Sequence, residues 1–373
     1  MINKFLSNIG KLLIIQVLFI GAGTIQVHCQ EEIGGVINHY AKVNSIGSGF
    51  VMVSPAQASQ FNTGDYVLLI QMQGVGIQTA QGFYGVVAQS LIGAPGEYEF
   101  LQLLSVNTAT GEIRFTRNVY LNSYDISGNV QLISVPFYNE PVVTSTLSAQ
   151  PWNGNTGTGG VLAIMAGSKL TLNADIDVTG RGFSGAAGVS GIGECVYTNV
   201  AANSLDSYDI SWNNAGLKGE GVAVHDHLGN LLNPGHEKGQ GRNFTGGGGG
   251  NGRFSGGGGG SNRGKGADGG LENALQCSTD PRDGGYGGMN IFGSIIQGGI
   301  FLGGGAGAST QAGSATASAG GSGGGIVFII ADSIDANNHI IRANGVTASN
   351  SISDAGAGGG GGGGCVGISF MGF

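Results

Sequence analysis

His225-Asp226-His227, followed by His236-Glu237, is the most chemical-looking cluster in the sequence. Two histidines at i and i+2 face the same side of a strand, and neutral imidazoles are good zinc ligands. His225, His227 and His236 are therefore candidate metal ligands. Their segment is rich in Gly, Asn and Pro, which favours a solvated loop, and no metal is assigned. Asp175 and Asp177 flank Ile176 and would point away from a core side by side. Polysaccharide-active enzymes on β-helices use such acids to hold calcium beside a basic catalyst, for which Arg181 is the nominee. Simple alternation along a strand accounts for the same acids, and fold analogy does not establish function. Asp206, Asp209 and Asp226 offer oxygen ligands without EF-hand or nonapeptide spacing. No Ser pairs with a His at suggestive spacing, and glycine-rich nucleotide fingerprints arise by chance at this glycine content. The expectation is a protein without catalytic activity or cofactor. Trp212, in a polar loop, is the candidate for contact with a glycan, whereas Trp152 is expected to pack inside.

The N-terminus reads as a signal peptide over residues 1–29. Lys4 and Lys11 precede an apolar run, Leu12–Ile20, too short to span a bilayer. Export makes disulfides possible. Cys195 and Cys277 lie in two irregular stretches and are the favoured pair, which leaves Cys365 over; connectivity stays open at this stage. The absence of a C-x-x-C motif gives no support to a redox dithiol or zinc ribbon.

Glycine supplies 77 of 373 residues, far above the usual share of about 7%. Such a bias suggests low complexity, but 40% of residues are hydrophobic and fall in short runs, as ordered strands require. A net charge of −8 with no basic stripe argues against nucleic acid as a partner. No later apolar run is long enough for a transmembrane helix.

The fold class expected is all-β. Residues 33–148 read as a small β-barrel or sandwich, with strands at Phe50–Val53, Tyr66–Met72, Gly85–Val87, Tyr98–Leu104, Glu112–Thr116 and Val130–Val135. Tyr66–Met72 is almost continuously apolar, as in a strand buried on both faces. Pro141 to Gly159 reads as a connector. Residues 159–373 read as a glycine-rich, parallel β-solenoid-like domain, with an irregular glycine-rich insert over 183–323. Its first copy runs from Gly160 to Gly180, its second from Gly325 to Gly345 at a constant offset of 165, and a third starts at Gly364 and stops with the chain. Each copy spans about 22 residues, the size of one solenoid turn, and buries its apolar face only by stacking on a neighbour. Val161, Ile164, Leu170, Leu172, Ile176 and Val178 are the expected core of the first. The glycine runs 246–250, 256–260, 303–305 and 358–364 are expected to be ordered, because polyproline II-like glycine chains bond laterally.

These motifs in this order resemble the N-terminal region of large secreted surface proteins of the Bacteroidetes, adhesin-like or gliding-motility-associated, exported by the type IX system. The matching stretches are Phe61–Met72, Gly159–Gly180, Gly219-Glu220-Gly221, Gly241-Arg242, Phe301–Gly307 and Gly324–Gly345. The resemblance implies a secreted or outer-cell-surface structural, adhesin-like protein. Its implied partners are surface polysaccharide or solid surfaces, and further repeats or domains of a longer parent protein. A glycan-binding module is the alternative, and a polysaccharide-active β-helix enzyme the third reading.

Overall fold

A computed structural model describes residues 30–80, 83–91, 93–119, 123–188, 206–207, 210–211, 215–226, 228, 230–232, 235–271, 284–291, 299–311, 317–349 and 356–370. The proposed signal peptide, Cys195, Trp212, His227 and Cys277 lie outside them. Glu32–Phe373 gathers into one compact unit. Among the described residues the architecture is almost entirely β, relieved by one helical turn at Pro55–Ala58 and one 3-10 turn at Ile126–Gly128.

The first half is a seven-stranded antiparallel sheet. Its order is β2 (Tyr40–Lys42), β10 (Val130–Val135), β5 (Tyr66–Gln71), β8 (Tyr98–Asn107), β9 (Glu112–Phe115), β4 (Phe50–Met52) and β3 (Ser45–Gly47). The two edge strands, β2 and β3, are consecutive in the chain and separated only by Val43-Asn44, so the sheet curls until its edges meet. Val67, Leu69, Leu101, Leu103, Ile113 and Leu132 fill the enclosed core. The next residues along β5, Leu68 and Ile70, face a second core shared with Trp152, Phe183, Phe244 and Phe301. The near-continuous apolar run of β5 is thus explained by burial on both faces. A separate small sheet of β16 (Ala223–Asp226), β6 (Val75–Ile77) and β7 (Val87–Leu91) contributes Val75, Ile77 and Ala223 to the same second core.

The second half stacks in parallel. β11 (Phe137–Tyr138), β13 (Val161–Ala166), β17 (Ile326–Ala331) and β20 (Cys365–Phe370) form one sheet in that order. In the companion sheet, β1 (Glu31–Val36) pairs with the long β12 (Pro141–Ser148), which pairs through its first half with β14 (Lys169–Leu172) and through its second with β15 (Ile176–Asp177). These pair in turn with β18 (Ser333–Asp335) and β19 (Ile341–Arg342). The segment taken from sequence as a connector therefore opens with a strand, and Phe137–Ser148 is the first layer of the stack. Its leading Pro and its polar Thr144-Ser145-Thr146 centre, which is exposed, disguised it.

The two copies meet in register, but not at one offset. Val161 faces Ile326 and Ile176 faces Ile341, 165 residues apart, whereas Leu170 faces Ile334, 164 apart. The gapless alignment expected from sequence is thus corrected by one residue. The second copy has a shorter corner after β17 and recovers the residue before β19, where Asn337 and Asn338 take positive φ. All six expected core residues of the first copy are buried. Five enter the core enclosed by the layers, while Val161 faces the core shared with the antiparallel sheet.

Among its described residues the insert is ordered. Its glycine segments form a lattice with a hydrogen-bonding period of three, that of the polyproline II helix. In the segment 303–310, Gly303, Ala306 and Ser309 donate to Gly324, Gly321 and Ser318; Gly304, Gly307 and Thr310 donate to Ser261, Gly258 and Ser255; Gly305 and Ala308 donate to Glu220 and Leu217. The same segment accepts from Phe183 and Ala186, from Gly247 and Gly250, and from Gly359 and Gly362. It is surrounded on every side. A Cβ on Gly307 would meet the Gly248 carbonyl far inside van der Waals contact. Only glycine permits that approach.

Candidate functional site

Where the antiparallel sheet, the stack and the glycine lattice converge, a cleft of about 1150 Å³ opens, walled by Gln73, Trp152, Lys218, Glu220, His236 and Glu237 among others. Glu220 belongs to the lattice segment 217–220. Its carboxylate accepts from the Trp152 indole at 2.8 Å, the Ser184 backbone N–H at 3.2 Å and the Gln73 side-chain amide at 3.5 Å. Three parts of the fold are thereby tied to one side chain. Burial pushes its pKa up, and the hydrogen bonds from Trp152 and Ser184 pull it partly back. Trp152 stacks edge-on against Phe183 at 5.4 Å, inside the shared core as its sequence position suggests.

Lys218, two residues earlier, is buried with its ammonium 3.7 Å from the Tyr84 ring centroid and bonded to no acceptor. Burial drives its pKa well down, with Asp206 and Glu237 opposing. The aromatic face supplies the stabilisation that an acceptor would otherwise give. His236 lies tilted against the same ring at 5.8 Å and hydrogen-bonds Ser207 at 2.8 Å. Burial, then Lys218, lowers its pKa. His225 sits on β16, buried, with Nδ1 unpartnered and its pKa lowered by burial. The expectation of a solvated loop fails for His225: it lies on β16, paired with Gly76, and its side chain is buried. Among the described residues, no three His, Cys, Asp or Glu side chains converge on a metal position.

Asp175 and Asp177 do lie side by side, but they face the next layer. Arg342 reaches Asp175 at 2.9 Å and Asp177 at 3.4 Å, and His339 reaches Asp175 at 3.1 Å. Asp175 is held below the ordinary carboxylate range by the Ile340 N–H and His339. Asp177 is held below it too, burial being outweighed by the hydrogen bonds of Thr179 and Arg342. Arg181, nominated as a base, donates to Ser148 at 3.3 Å. These acids bridge layers rather than line a groove. Cys365 is a free thiol within β20, 3.6 Å from the Asn262 amide.

Sequence reasoning missed Glu220 and Lys218. The available signal was two charged residues one apart, Lys218-Gly219-Glu220, inside a glycine segment that must be enclosed by backbone. No known protein family, curated protein or solved structure matches the chain.

Proposed function

We propose that this chain is a secreted or cell-surface structural protein, adhesin-like and without catalytic activity. It would be exported by means of the 1–29 signal peptide and would present an extended β surface to surface polysaccharide or solid material. In this reading residues 33–148 are largely a small closed barrel. Residues 159–373 are a short parallel β-solenoid flanked by the glycine bundle, and the resemblance to Bacteroidetes type IX cargo accounts for the export. The observation that carries the reading is the in-register stacking of separate sequence copies, Val161 on Ile326 and Ile326 on Cys365. Stacked copies build length and stiffness without demanding a reactive centre. The placement of Asp175 and Asp177 in bridges between layers supports it further.

Incubating the purified chain with a polysaccharide panel and with abiotic surfaces tests this. Broad, weak binding without product release is expected. Tight binding to one glycan that is lost in Trp212→Ala would transfer the assignment to a glycan-binding module. Release of oligosaccharide would make the protein an enzyme.

A further inference from the structure

The stack is sealed at one end and open at the other. In a parallel ladder alternate residues aim their N–H and C=O groups at opposite neighbours. On β13 the groups turned away from β17 are those of Val161, Ala163 and Met165. Four of these six groups are held by named partners: Val161 C=O accepts from the Tyr40 hydroxyl, Ala163 exchanges both bonds with the Asn38 amide, and Met165 N–H donates to Pro136 C=O. At the far end Cys365 N–H donates inward to Gly325, so Val366, Ile368 and Phe370 aim their backbone groups outward. Among the described residues, no strand pairs with that edge.

The side chains show the same asymmetry. Leu162, Val327 and Val366 form one column, Ile164, Ile329 and Ile368 another. The first two members of each are 0–1% exposed, but Val366 and Ile368 are both 44% exposed and Phe370 is 61% exposed. An uncovered edge with uncovered apolar groups is a template for a further strand. The glycine lattice repeats the pattern. The segment leading into β17 lies against the one leading into β20, Gly321 and Gly324 donating to Gly359 and Gly362. Alongside that second segment runs a groove of about 1140 Å³, lined by Gly260, Gly264, Gly361, Gly364, Cys365 and Val366 among others.

We propose that this end of the molecule is a docking site for another polypeptide's segment, a glycine-rich run leading into an apolar β-strand. The run lies in the groove and the strand adds in parallel to β20. The occupant's chemistry is dictated by what the chain itself places at each layer: Gly-Gly before Val161, Gly-Gly before Ile326 and Gly-Gly before Cys365. The groove combines glycine backbone with the side chains of Asn262, Ile300 and Phe301, and the edge selects alternating apolar residues. The inference rests on the solenoid part of the reading above, not on adhesion, so the glycan and surface assays do not bear on it.

The test uses the full chain and a fluorescent peptide carrying the sequence of residues 320–331 between terminal lysines. A scrambled peptide is the control. Ile368→Pro removes an outward N–H while leaving the bonds to β17 intact. Saturable binding is expected, weakened at least about tenfold by scrambling and by Ile368→Pro, with unchanged circular dichroism. Should Ile368→Pro fail to fold, Val366→Lys, which places a charge on the same edge, is expected to weaken binding comparably. Absent binding, equal affinity for the scrambled peptide, or indifference to these substitutions overturns the proposal. So does concentration-dependent dimerisation without peptide binding, which would assign the edge to a second copy. Protection of the β17 amides from exchange reports on the stack itself, so a failure of the solenoid reading is distinguished from a failure of docking.

Discussion

Glu220 is an acid placed where an acid is costly, and three donors keep it there. Its pKa is raised on folding, so the folded state binds the proton more tightly than the unfolded chain. Stability from this group is therefore full below the unfolded value of about 4.3 and is lost as pH rises through the folded value. Glu220→Gln removes that term. Urea unfolding from pH 4 upward is expected to show a falling stability for the native chain that the variant lacks; parallel curves would deny the shift. Asp177 acts with the opposite sign. Its depressed pKa gives stability present above about pH 3.9 and lost on further acidification. Arg342→Gln is expected to flatten that acid limb, read by the same unfolding series. Neither Glu220 nor Lys218 was legible as a site beforehand, because sequence reasoning assigns charges in a glycine-rich segment to solvent, whereas here Lys218 is buried and Glu220 half-buried at the wall of the cleft. Asp175 and Asp177 were legible as a side-by-side pair. What they face was not, since the partner Arg342 is separated from them by more than 160 residues.

At the scale of the element, period and burial were written plainly wherever one strand sat between two cores. Tyr66–Gln71 and both six-residue copies, Val161–Ala166 and Ile326–Ala331, could be read at once. β12 could not, because its polar centre is exposed and only its ends enter the core. The columns of the stack give a graded test. Ile164→Ala and Ile329→Ala are expected to cost about 2–5 kcal/mol each, and Ile368→Ala under about 1 kcal/mol, since the third residue has little cover to lose. Equal costs would mean that the third layer is covered. The lattice offers a sharper contrast. Gly307→Ala must displace backbone, not a flexible side chain, and is expected to cost about 3 kcal/mol. Gly264→Ala, with open space at its Cβ position, is expected to leave the midpoint of unfolding nearly unchanged.

For the whole molecule, the question is what lets a chain that is one-fifth glycine hold a fixed form. Each glycine forfeits about 0.5–1 kcal/mol relative to alanine in ordered structure, and the lattice recovers this through lateral hydrogen bonds of about 0.5–1.5 kcal/mol each. The balance closes only because the period of three sends successive N–H groups to different neighbours, so no segment is stable apart from the rest. The stack gives the lattice its anchors: Gly160, Gly325 and Gly364 lead directly from glycine segments into β13, β17 and β20. Lattice and stack should then open together. Native-state amide exchange is expected to protect Gly303–Ser309 about as strongly as Leu162–Ile164 and Val327–Ile329, with Val366 and Ile368 exchanging far faster than Gly367 between them. Fast exchange throughout Gly303–Ser309 would show a flexible spacer, and the stack would have to stand without it.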